Sequence, residues 1–314
     1  MKKLTYIITA ALVTSLAGCT KTVITQAGDV SNGALVKIIH TAPGTQAIDA
    51  YINNTKITPS ATVTVTDNTV PASITTGINY NYNGTAATYL GLFPASNYAS
   101  VATGSTVIKI QASTPVPALV SPQTGAPSAV IGTVTQSTVA GSAYSVFSLG
   151  LPGSATSPLG IKVIPDVFPA AQAGKAFVRL AYMIPNGAAV DMSATATFIG
   201  ATAATTTTPV TNITYSNASD FVALPLNPTG LTNYTFQLYL AGTTTKLGTV
   251  SAAIGLAPGR YYTIIGRGLA ADYPVPGTSI TLKASARPTS AADPAIKLPE
   301  IYFAPPQLVF YTNK

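Results

Sequence analysis

Tryptophan is absent from this chain of 314 residues, which also has only one cysteine, one histidine and nine acidic residues. One histidine and one cysteine cannot complete a zinc site, and the scattered acids form no Asp-x-Asp-x-Asp calcium loop. No Gly-x-x-x-x-Gly-Lys-Ser/Thr motif for binding phosphates occurs either. The sequence therefore predicts no metal and no cofactor.

Charged residues are also scarce, at 8% of the chain, and the formal net charge is +7. The basic residues are scattered singly along the sequence, whereas a surface that binds nucleic acid needs them clustered. We therefore expect no nucleic acid among the partners, and a mildly basic exterior rich in threonine.

The start of the chain has the pattern of a secretion signal. Lys2 and Lys3 precede an apolar stretch over residues 4–16, and the small residues Ala17 and Gly18 follow. A basic start, a short apolar core and a small-residue cleavage site are typical of such signals. The apolar stretch is shorter than the ~20 residues that a membrane-spanning helix needs.

Cys19 is the single cysteine, and Leu16-Ala17-Gly18-Cys19 resembles a bacterial lipobox. The resemblance implies cleavage before Cys19, which becomes an acylated N-terminus. We expect residues 1–18 to be a lipoprotein signal peptide and residues 19–32 a lipidated spacer, with the lipid on Cys19 as the membrane anchor. The expected location is the cell envelope at the outer membrane, on either its periplasmic or its outer side. An ordinary signal peptide with an incidental cysteine is the alternative.

Glycine and proline are frequent, with 25 and 24 residues, and threonine, alanine, valine and serine are abundant. β-branched residues between frequent turn formers predict many short strands. Amphipathic helices would need more Glu, Lys, Leu and Arg at helical spacing. The predicted fold class is therefore all-β.

Two segments, Ala34–Tyr51 and Ala176–Ser193, resemble each other without gaps. Both predict an opening strand that ends at a Pro-containing loop, because proline lacks the N–H that a sheet needs. A strand with alternating polarity around an aspartate follows in each. The matched positions include Lys37 with Arg179, Pro43 with Pro185 and Asp49 with Asp191.

The segments Ala140–Leu151 and Pro258–Leu269 also resemble each other, and Tyr144 coincides there with Tyr262. Each predicts an aromatic closing strand after a glycine. Together with the matched starts, they indicate one β-sandwich domain duplicated in tandem.

The repeated pattern resembles the domain of unknown function family 4397. It consists of a basic-apolar strand, a histidine or aromatic residue, a small residue, proline, several small residues, an apolar-Asp-apolar strand and a later Gly-x-x-Tyr. The resemblance, to a Bacteroidota-type lipoprotein with two copies, covers most of residues 34–290. It implies two tandem immunoglobulin-like β-sandwich domains, which we place at residues 33–170 and 171–314, and no established activity. The second copy departs from the pattern, with Tyr182 where the first has His40.

Catalytic sets are missing from the sequence. A Ser–His–Asp arrangement would have to include His40, and Tyr182 at the matched position excludes a duplicated active site. We interpret His40 as a strand-end residue packed over the Pro-containing loop that follows. The acids offer no pair at the fixed separation that a glycosidase needs, so we expect no enzyme.

We interpret Asp49 and Asp191 as structural carboxylates that accept N–H bonds from the preceding Pro loop.

The best lead to a ligand is an aromatic-rich loop that contains Tyr80, Asn81 and Tyr82. Tyrosine and asparagine on an exposed loop can stack on and hydrogen-bond a sugar or a peptide. The alternative is a turn flanked by the aromatic residues of strands. A second segment, Ala201–Thr208, is low in complexity and predicts a polar β-edge or loop.

The end of the chain is unusually apolar for a tail. Its candidate partner-binding residues are Tyr302, Phe303, Leu308, Phe310 and Tyr311. They predict either a terminal strand docked on the second domain or a strand offered to the sheet edge of a partner.

These features favour a non-catalytic, lipid-anchored cell-envelope protein that acts as a binding or structural module, with a glycan or an envelope protein as its partner. The alternative is an accessory or polymerising subunit of an outer-membrane complex, which would use the apolar C-terminal strand. A hydrolase is the least expected class.

Overall fold

The computed structural model describes residues 32–45, 47–58, 61–66, 71–78, 80, 91–113, 129–228, 230–298 and 300–314. Cys19 and the predicted signal peptide lie outside the described residues. Residues Asn32–Lys314 belong to one compact unit. The described residues form β-strands and two short 3-10 helices, Pro294–Lys297 and Glu300–Tyr302, and contain no α-helix. The predicted all-β class is confirmed. No helix in this described part of the chain is long and apolar enough to cross a membrane.

The strands of the first half are β1 (Ala34–His40), β2 (Ile48–Ile52), β3 (Thr55–Lys56), β4 (Ala61–Thr66), β5 (Pro71–Thr76), β6 (Leu92–Phe93), β7 (Ala99–Val101), β8 (Gly104–Ala112), β9 (Val130–Thr138), β10 (Ala143–Leu149) and β11 (Gly160–Asp166). The strands of the second half are β12 (Lys175–Tyr182), β13 (Val190–Ala196), β14 (Thr205–Ile213), β15 (Asn217–Ala218), β16 (Val222–Pro225), β17 (Thr232–Leu240), β18 (Lys246–Leu247), β19 (Ile254–Leu256), β20 (Tyr261–Arg267), β21 (Tyr273–Pro274), β22 (Thr281–Leu282) and β23 (Gln307–Thr312).

Two sheets form a first sandwich. Sheet 1 has the order β11-β10-β1-β6, with β7 also paired to β1, and sheet 2 has the order β3-β2-β8-β9. Their facing side chains form one apolar core, which includes Val36, Ile38, Ile48, Ile110 and Val146. Strands β4 and β5 form a separate hairpin.

Two further sheets form a second sandwich with the same arrangement. Sheet 3 has the order β15-β12-β20-β23, with β16 also paired to β12, and sheet 4 has the order β14-β13-β17-β18, with β19 also paired to β17. Its core includes Val178, Leu180, Met192, Phe236 and Ile264. The opening and closing strands pair in parallel in both sandwiches, β1 with β10 and β12 with β20. Strand β23 occupies in sheet 3 the place that β11 has in sheet 1. The immunoglobulin-like character and the domain bounds stay predictions.

The opening strands are buried on both faces. Val36 and Ile38 point into the first core, while Ile39 belongs to an apolar cluster with Ala181 and Val309 that joins sheet 1 to sheet 3. Strands covered on both faces are near-continuous apolar runs in sequence, as β1 and β12 are. The four sheets therefore stack in the order 2-1-3-4, and the two sandwiches pack face to face.

Charged side chains also lie within this interface between the sandwiches. The matched residues Lys37 and Arg179 are 0% and 2% exposed. Arg179 forms an ion pair with Asp166 of β11, and the Ser145 hydroxyl donates to the two carboxylate oxygens of Asp166 at 2.9 and 2.8 Å. The ammonium of Lys37 donates to the carbonyl of Pro94 at 2.9 Å. These bonds offset the cost of removing the charges from water.

Tyr144 and Tyr262 have the same role in the two sandwiches. The phenol oxygen of Tyr144 accepts from the N–H of Val139 at 3.2 Å, and that of Tyr262 accepts from the N–H of Ala257 at 3.0 Å. In both cases the donor lies 5 residues upstream. Such tyrosine corners fix a closing strand to the segment before it.

Pro43 and Pro185 lie, both buried, in the loops that follow β1 and β12. The hydroxyl of Ser157 donates to the carbonyl of Pro185 at 2.8 Å, which ties the end of the first sandwich to a loop of the second. The loop that contains Pro43 also touches the second half. A Cβ added at Gly44, whose φ is +75°, would overlap the side chain of Leu282. The two matched loops therefore lie at the contact between the halves.

Candidate functional site

The matched aspartates have different surroundings, and Asp49 is closed off. It lies on β2 and is 5% exposed. Its carboxylate pairs with the Lys56 ammonium at 3.0 Å and accepts from the Thr58 hydroxyl at 3.3 Å. The charge of Asp49 is therefore balanced within the first sandwich by side chains that follow β2 in the sequence, whereas we expected its partners to be N–H groups of the preceding Pro loop.

Asp191 of β13 is half-buried and has no cation within ion-pair distance among the described residues. Its two oxygens accept backbone bonds, one from the N–H of Asn212 at 2.8 Å and one from the N–H of Gly242 at 2.9 Å. These donors lie on the neighbouring strand β14 and on the turn after β17, whereas we expected them in the preceding Pro loop. The carboxylate is thus held in place by one backbone bond to each of its oxygens.

Asp191 belongs to a row of three side chains on the outer face of sheet 4. The register places Asp191 opposite Tyr239 of β17, and Tyr239 opposite Lys246 of β18. The adjacent residues Met192 and Leu238 point into the core, and side chains alternate along a strand. The row therefore presents a carboxylate, an aromatic ring and an ammonium group side by side on the surface.

A cleft of about 460 Å³ lies over this row. Its walls are mostly hydroxyl-bearing, and its lining residues are Asp191, Ser193, Thr206, Thr208, Tyr239, Thr243, Thr244 and Lys246. The volume is in the range of small-ligand sites. We call this feature the sheet-4 cleft.

The two walls of the sheet-4 cleft are fixed by Asp191. Thr206 and Thr208 are exposed residues of β14, which is the outermost strand of sheet 4, as the polar segment in the sequence predicts. Both backbone donors to Asp191 have left-handed φ values, +53° at Asn212 and +70° at Gly242. Glycine adopts such a φ without strain, whereas Asn212 does so at a cost, and a carboxylate that accepts from both sides holds the two segments in place.

The chemistry of the cleft suits a ligand rich in hydroxyl groups. Threonine and serine hydroxyls both donate and accept, Asp191 only accepts, and the Lys246 ammonium only donates. The Tyr239 ring adds an apolar face with a polar tip. Sequence reasoning singled out Asp191 but missed Tyr239 and Lys246. Alternation along β17 could have placed Tyr239 on the outer face, but the row depends on the register of three strands.

His40 is fully buried at the end of β1. Its Nε2 lies 3.3 Å from the Thr45 hydroxyl and its Nδ1 lies 3.0 Å from the Ser148 hydroxyl. Thr45 belongs to the loop that follows β1, where we expected His40 to pack. Among the described residues, no three His, Cys, Asp or Glu side chains gather in a group that could hold a metal ion.

Tyr80 does not lie on an exposed ligand loop, which corrects the prediction for this residue. It is 4% exposed and packs edge-on against His40, with ring centroids 5.6 Å apart. The guanidinium of Arg267 lies 4.8 Å from the centre of its ring and donates to its carbonyl at 3.0 Å. Burial raises the pKa of Tyr80, although Arg267 acts in the opposite direction. Asn81 and Tyr82 lie outside the described residues.

The apolar end of the chain is part of the second half and is not a free strand. β23 pairs with β20 along Gln307–Thr312. Tyr302 and Phe303 belong to one buried cluster, Leu308 to the second core and Tyr311 to the cluster between sheets 1 and 3. Of the five predicted partner-binding residues, Phe310 is exposed, at 41%. The structure agrees with the alternative of a terminal strand docked on the second half, because burial of its alternate side chains holds β23 in place.

No protein-family model matches this chain, and no curated protein matches it. Among solved structures, it is similar to a proposed cell adhesion protein from Bacteroides fragilis, with 10% identity, a TM-score of 0.20 and coverage of 79% of this chain and 95% of that chain. A proposed cell adhesion protein from Bacteroides eggerthii shows 10% identity and a TM-score of 0.20, with coverage of 90% and 96%. A leucine-rich repeat protein from Bacteroides thetaiotaomicron shows 14% identity and a TM-score of 0.18 over 74% of this chain. The match spans 25% of the length of that repeat protein.

Proposed function

We propose that this protein is a non-catalytic, lipid-anchored component of the bacterial cell envelope that binds a saccharide in the sheet-4 cleft. The observation that carries the proposal is the row of Asp191, Tyr239 and Lys246 beneath walls of threonine hydroxyls. An aromatic face beside fixed acceptors and donors matches the alternating apolar and hydroxylated surfaces of a sugar ring.

The residues that line the sheet-4 cleft support ligand binding without catalysis. A glycosidase of the common type needs two carboxyl groups at a fixed separation. Among the described residues that line the cleft, Asp191 is the one acid. Its two oxygens already accept hydrogen bonds from backbone N–H groups. We therefore assign Asp191 the role of positioning the walls of the sheet-4 cleft and a hydroxyl of the ligand.

Anchoring rests on Cys19 and the lipobox-like residues before it. If the lipid is the anchor, wild-type protein should sediment with membranes and enter the detergent phase, while Cys19→Ala should not. Protease treatment of intact cells, with lysed cells as the control, then distinguishes the outer side of the membrane from the periplasm. A Cys19→Ala protein that stays in the membrane fraction after high-salt washing would contradict the lipid anchor.

Binding is tested by screening the full-length protein in detergent against an array of bacterial and host glycans. A hit should be weakened about tenfold or more by Tyr239→Ala, which removes the aromatic face. Tyr239→Phe keeps that face and should retain most of the affinity. Tyr51→Ala, on the first sandwich, is the control for removal of a half-buried tyrosine elsewhere. Glycan binding that is equally strong in Tyr239→Ala and the wild type would overturn the assignment to this cleft.

An accessory or polymerising subunit of an outer-membrane complex is the second candidate. The form in which the C-terminal strand is donated to a partner has no support, since β23 is held in sheet 3. The form that the fold favours is the reverse one, in which this protein receives a strand from a partner.

A further inference from the structure

The outer edge of β23 offers backbone groups for pairing. β23 pairs antiparallel with β20, and the N–H of Asn313 donates to the carbonyl of Tyr261 at 2.8 Å. Bonded positions alternate along an antiparallel pair, so Tyr311 also bonds toward β20. The N–H and C=O groups of Phe310 and Thr312 therefore point away from β20. Among the described strands, β23 is the last one in its sheet.

The matching edge in the first sandwich is covered. There β11 has the place of β23, and β9 lies close against it. A Cβ added at Gly132 of β9 would lie 3.0 Å from the side chain and 3.1 Å from the backbone nitrogen of Ile161. β9 extends without a break over Val130–Thr138, so it shields β11.

Among the described residues of the second sandwich, β23 has no comparable cover. In place of one long strand it has the short strands β18 and β19, of 2 and 3 residues. Gly248, between them, approaches the carbonyl of Pro306 closely, since a Cβ there would collide with it. The part of the chain that the structure describes therefore covers the start of β23 and leaves the edge at Phe310 and Thr312 open.

An apolar cavity of about 320 Å³ lies on one face of this edge. It opens between sheets 3 and 4, and its lining residues are Ser251, Ala252, Ala253, Ile254, Leu308, Val309 and Phe310. Phe310, at 41% exposed, is one of the large apolar side chains on the surface. A large apolar group at a groove beside an open strand edge is a feature of docking sites.

A second cavity, of about 400 Å³, lies on the other face of β23, at the seam between the sandwiches. Its walls are the segment 95–97 of the first sandwich, Arg260 and the end of β23. Arg260 is exposed, and no described acid pairs with it. The seam side of the edge is therefore polar and positively charged, in contrast to the apolar side.

We infer that the outer edge of β23 is a docking site for an extended strand of a partner protein whose side chains alternate between apolar and acidic. The partner strand bonds to the outward N–H and C=O groups of Phe310 and Thr312. Because successive side chains of a strand point to opposite faces, its apolar residues enter the cavity beside Leu308 and its acidic residues face Arg260. This assignment does not depend on the sheet-4 cleft or on its ligand.

The test uses the full-length protein in detergent and a fluorescent peptide, Thr-Val-Glu-Val-Glu-Val-Thr, followed by fluorescence anisotropy. We expect saturable binding. Thr312→Pro removes an outward N–H, which a strand edge tolerates, and should lower the affinity about tenfold or more because a backbone bond is lost and the ring obstructs pairing. Thr312→Ala keeps the N–H and is the matched control, with affinity close to that of the wild type.

The charge preference is tested in the same assay. A peptide with lysine in place of glutamate should bind more weakly than the acidic one, and Arg260→Gln should reduce this difference. If Thr312→Pro fails to fold, Phe310→Glu keeps the backbone, places an acid at the apolar cavity and should abolish binding. Absence of saturable binding, or equal affinity in Thr312→Pro, overturns the inference. A further outcome is that the protein does not bind the peptide but has twice the expected native mass, and that Thr312→Pro restores the monomer mass. That result would assign the edge to a second copy of this chain and would also overturn the inference.

Discussion

The guanidinium of Arg179, on the opening strand of the second sandwich, pairs with the carboxylate of Asp166, on the last strand of the first. Both side chains are almost completely buried, at 2% and 0% exposed. The phenol of Tyr98 donates to Asp166 at 2.6 Å, and the Nε of Arg179 donates to the Thr263 hydroxyl at 2.9 Å. One charged network thus fixes how the two halves of the repeat face each other.

Breaking this pair should be costly. Asp166→Ala leaves the Arg179 cation buried without its counter-charge, and we expect the free energy of unfolding to fall by about 3–5 kcal/mol. Urea denaturation of the full-length protein measures the change. Asp166→Ala combined with Arg179→Met should be more stable than Asp166→Ala alone, because the uncompensated charge is gone.

The exposed pair of Lys283 and Asp272 is the control for the buried one. Its atoms lie 2.8 Å apart, but its side chains are 39% and 48% exposed. Lys283→Ala should cost less than about 1 kcal/mol, as exposed ion pairs do. If Lys283→Ala lowered the free energy of unfolding as much as Asp166→Ala does, burial would not be the reason why the Asp166–Arg179 pair matters for stability.

Stability should rise between about pH 8 and pH 10 because of Lys37. Burial lowers the pKa of Lys37 to about 8, although Asp166 acts in the opposite direction. The unfolded chain, with an ordinary lysine pKa of about 10.4, binds more protons in this range, so the folded state gains stability as the pH rises. The gain should be about 1–3 kcal/mol, measured by urea unfolding at a series of pH values.

Above about pH 10 the direction reverses. Burial raises the pKa of Tyr98 and of Tyr311, so the unfolded chain loses these phenolic protons first and stability falls. Lys37→Met should abolish the rise and keep the fall. A rise that persists in Lys37→Met would assign it to another group.

The tyrosine corners should contribute similarly in the two sandwiches. Tyr144→Phe and Tyr262→Phe each remove the acceptor of a part-buried backbone N–H, and we expect each to cost about 1 kcal/mol. Tyr51→Phe is the control, since its phenol accepts at 3.1 Å from the side-chain amide of Gln111, which can turn toward water, and it should cost less. Thermal unfolding followed by circular dichroism gives the comparison. Unequal losses of stability in Tyr144→Phe and Tyr262→Phe would show that the two tyrosine corners contribute differently to the two sandwiches.

The sequence predicts the local elements well because their signals are local. The strands around Val36 and Val178 follow from apolar runs that end before proline, and the observed β1 and β12 agree with them. The all-β class follows from composition in the same way. These signals depend on a few neighbouring residues and do not require knowledge of what covers a strand.

The contacts between the halves could not be predicted from those signals. A lysine or arginine within an apolar strand normally indicates an exposed face, and the burial of Lys37 and Arg179 depends on partners far away in sequence. Tyr80 is a similar case, because Arg267 covers its ring. The sheet-4 cleft depends on the register between β13, β17 and β18, which the sequence of any one of them does not specify.

Because Asp191 bonds to backbone groups on both sides of the sheet-4 cleft and Asp49 does not, only substitution of Asp191 should loosen the walls of the cleft. Asp191→Ala removes the acceptor of the Asn212 and Gly242 N–H groups, and we expect amide hydrogen exchange at these two residues to accelerate about tenfold or more. Asp191→Asn retains one acceptor oxygen and should protect one of the two amides. Asp49→Ala should leave both unchanged, since its partners belong to the first sandwich. If exchange at Asn212 and Gly242 is the same in Asp191→Ala and the wild type, the carboxylate does not hold the cleft open, and loss of glycan binding in Asp191→Ala would then reflect direct contact with the ligand.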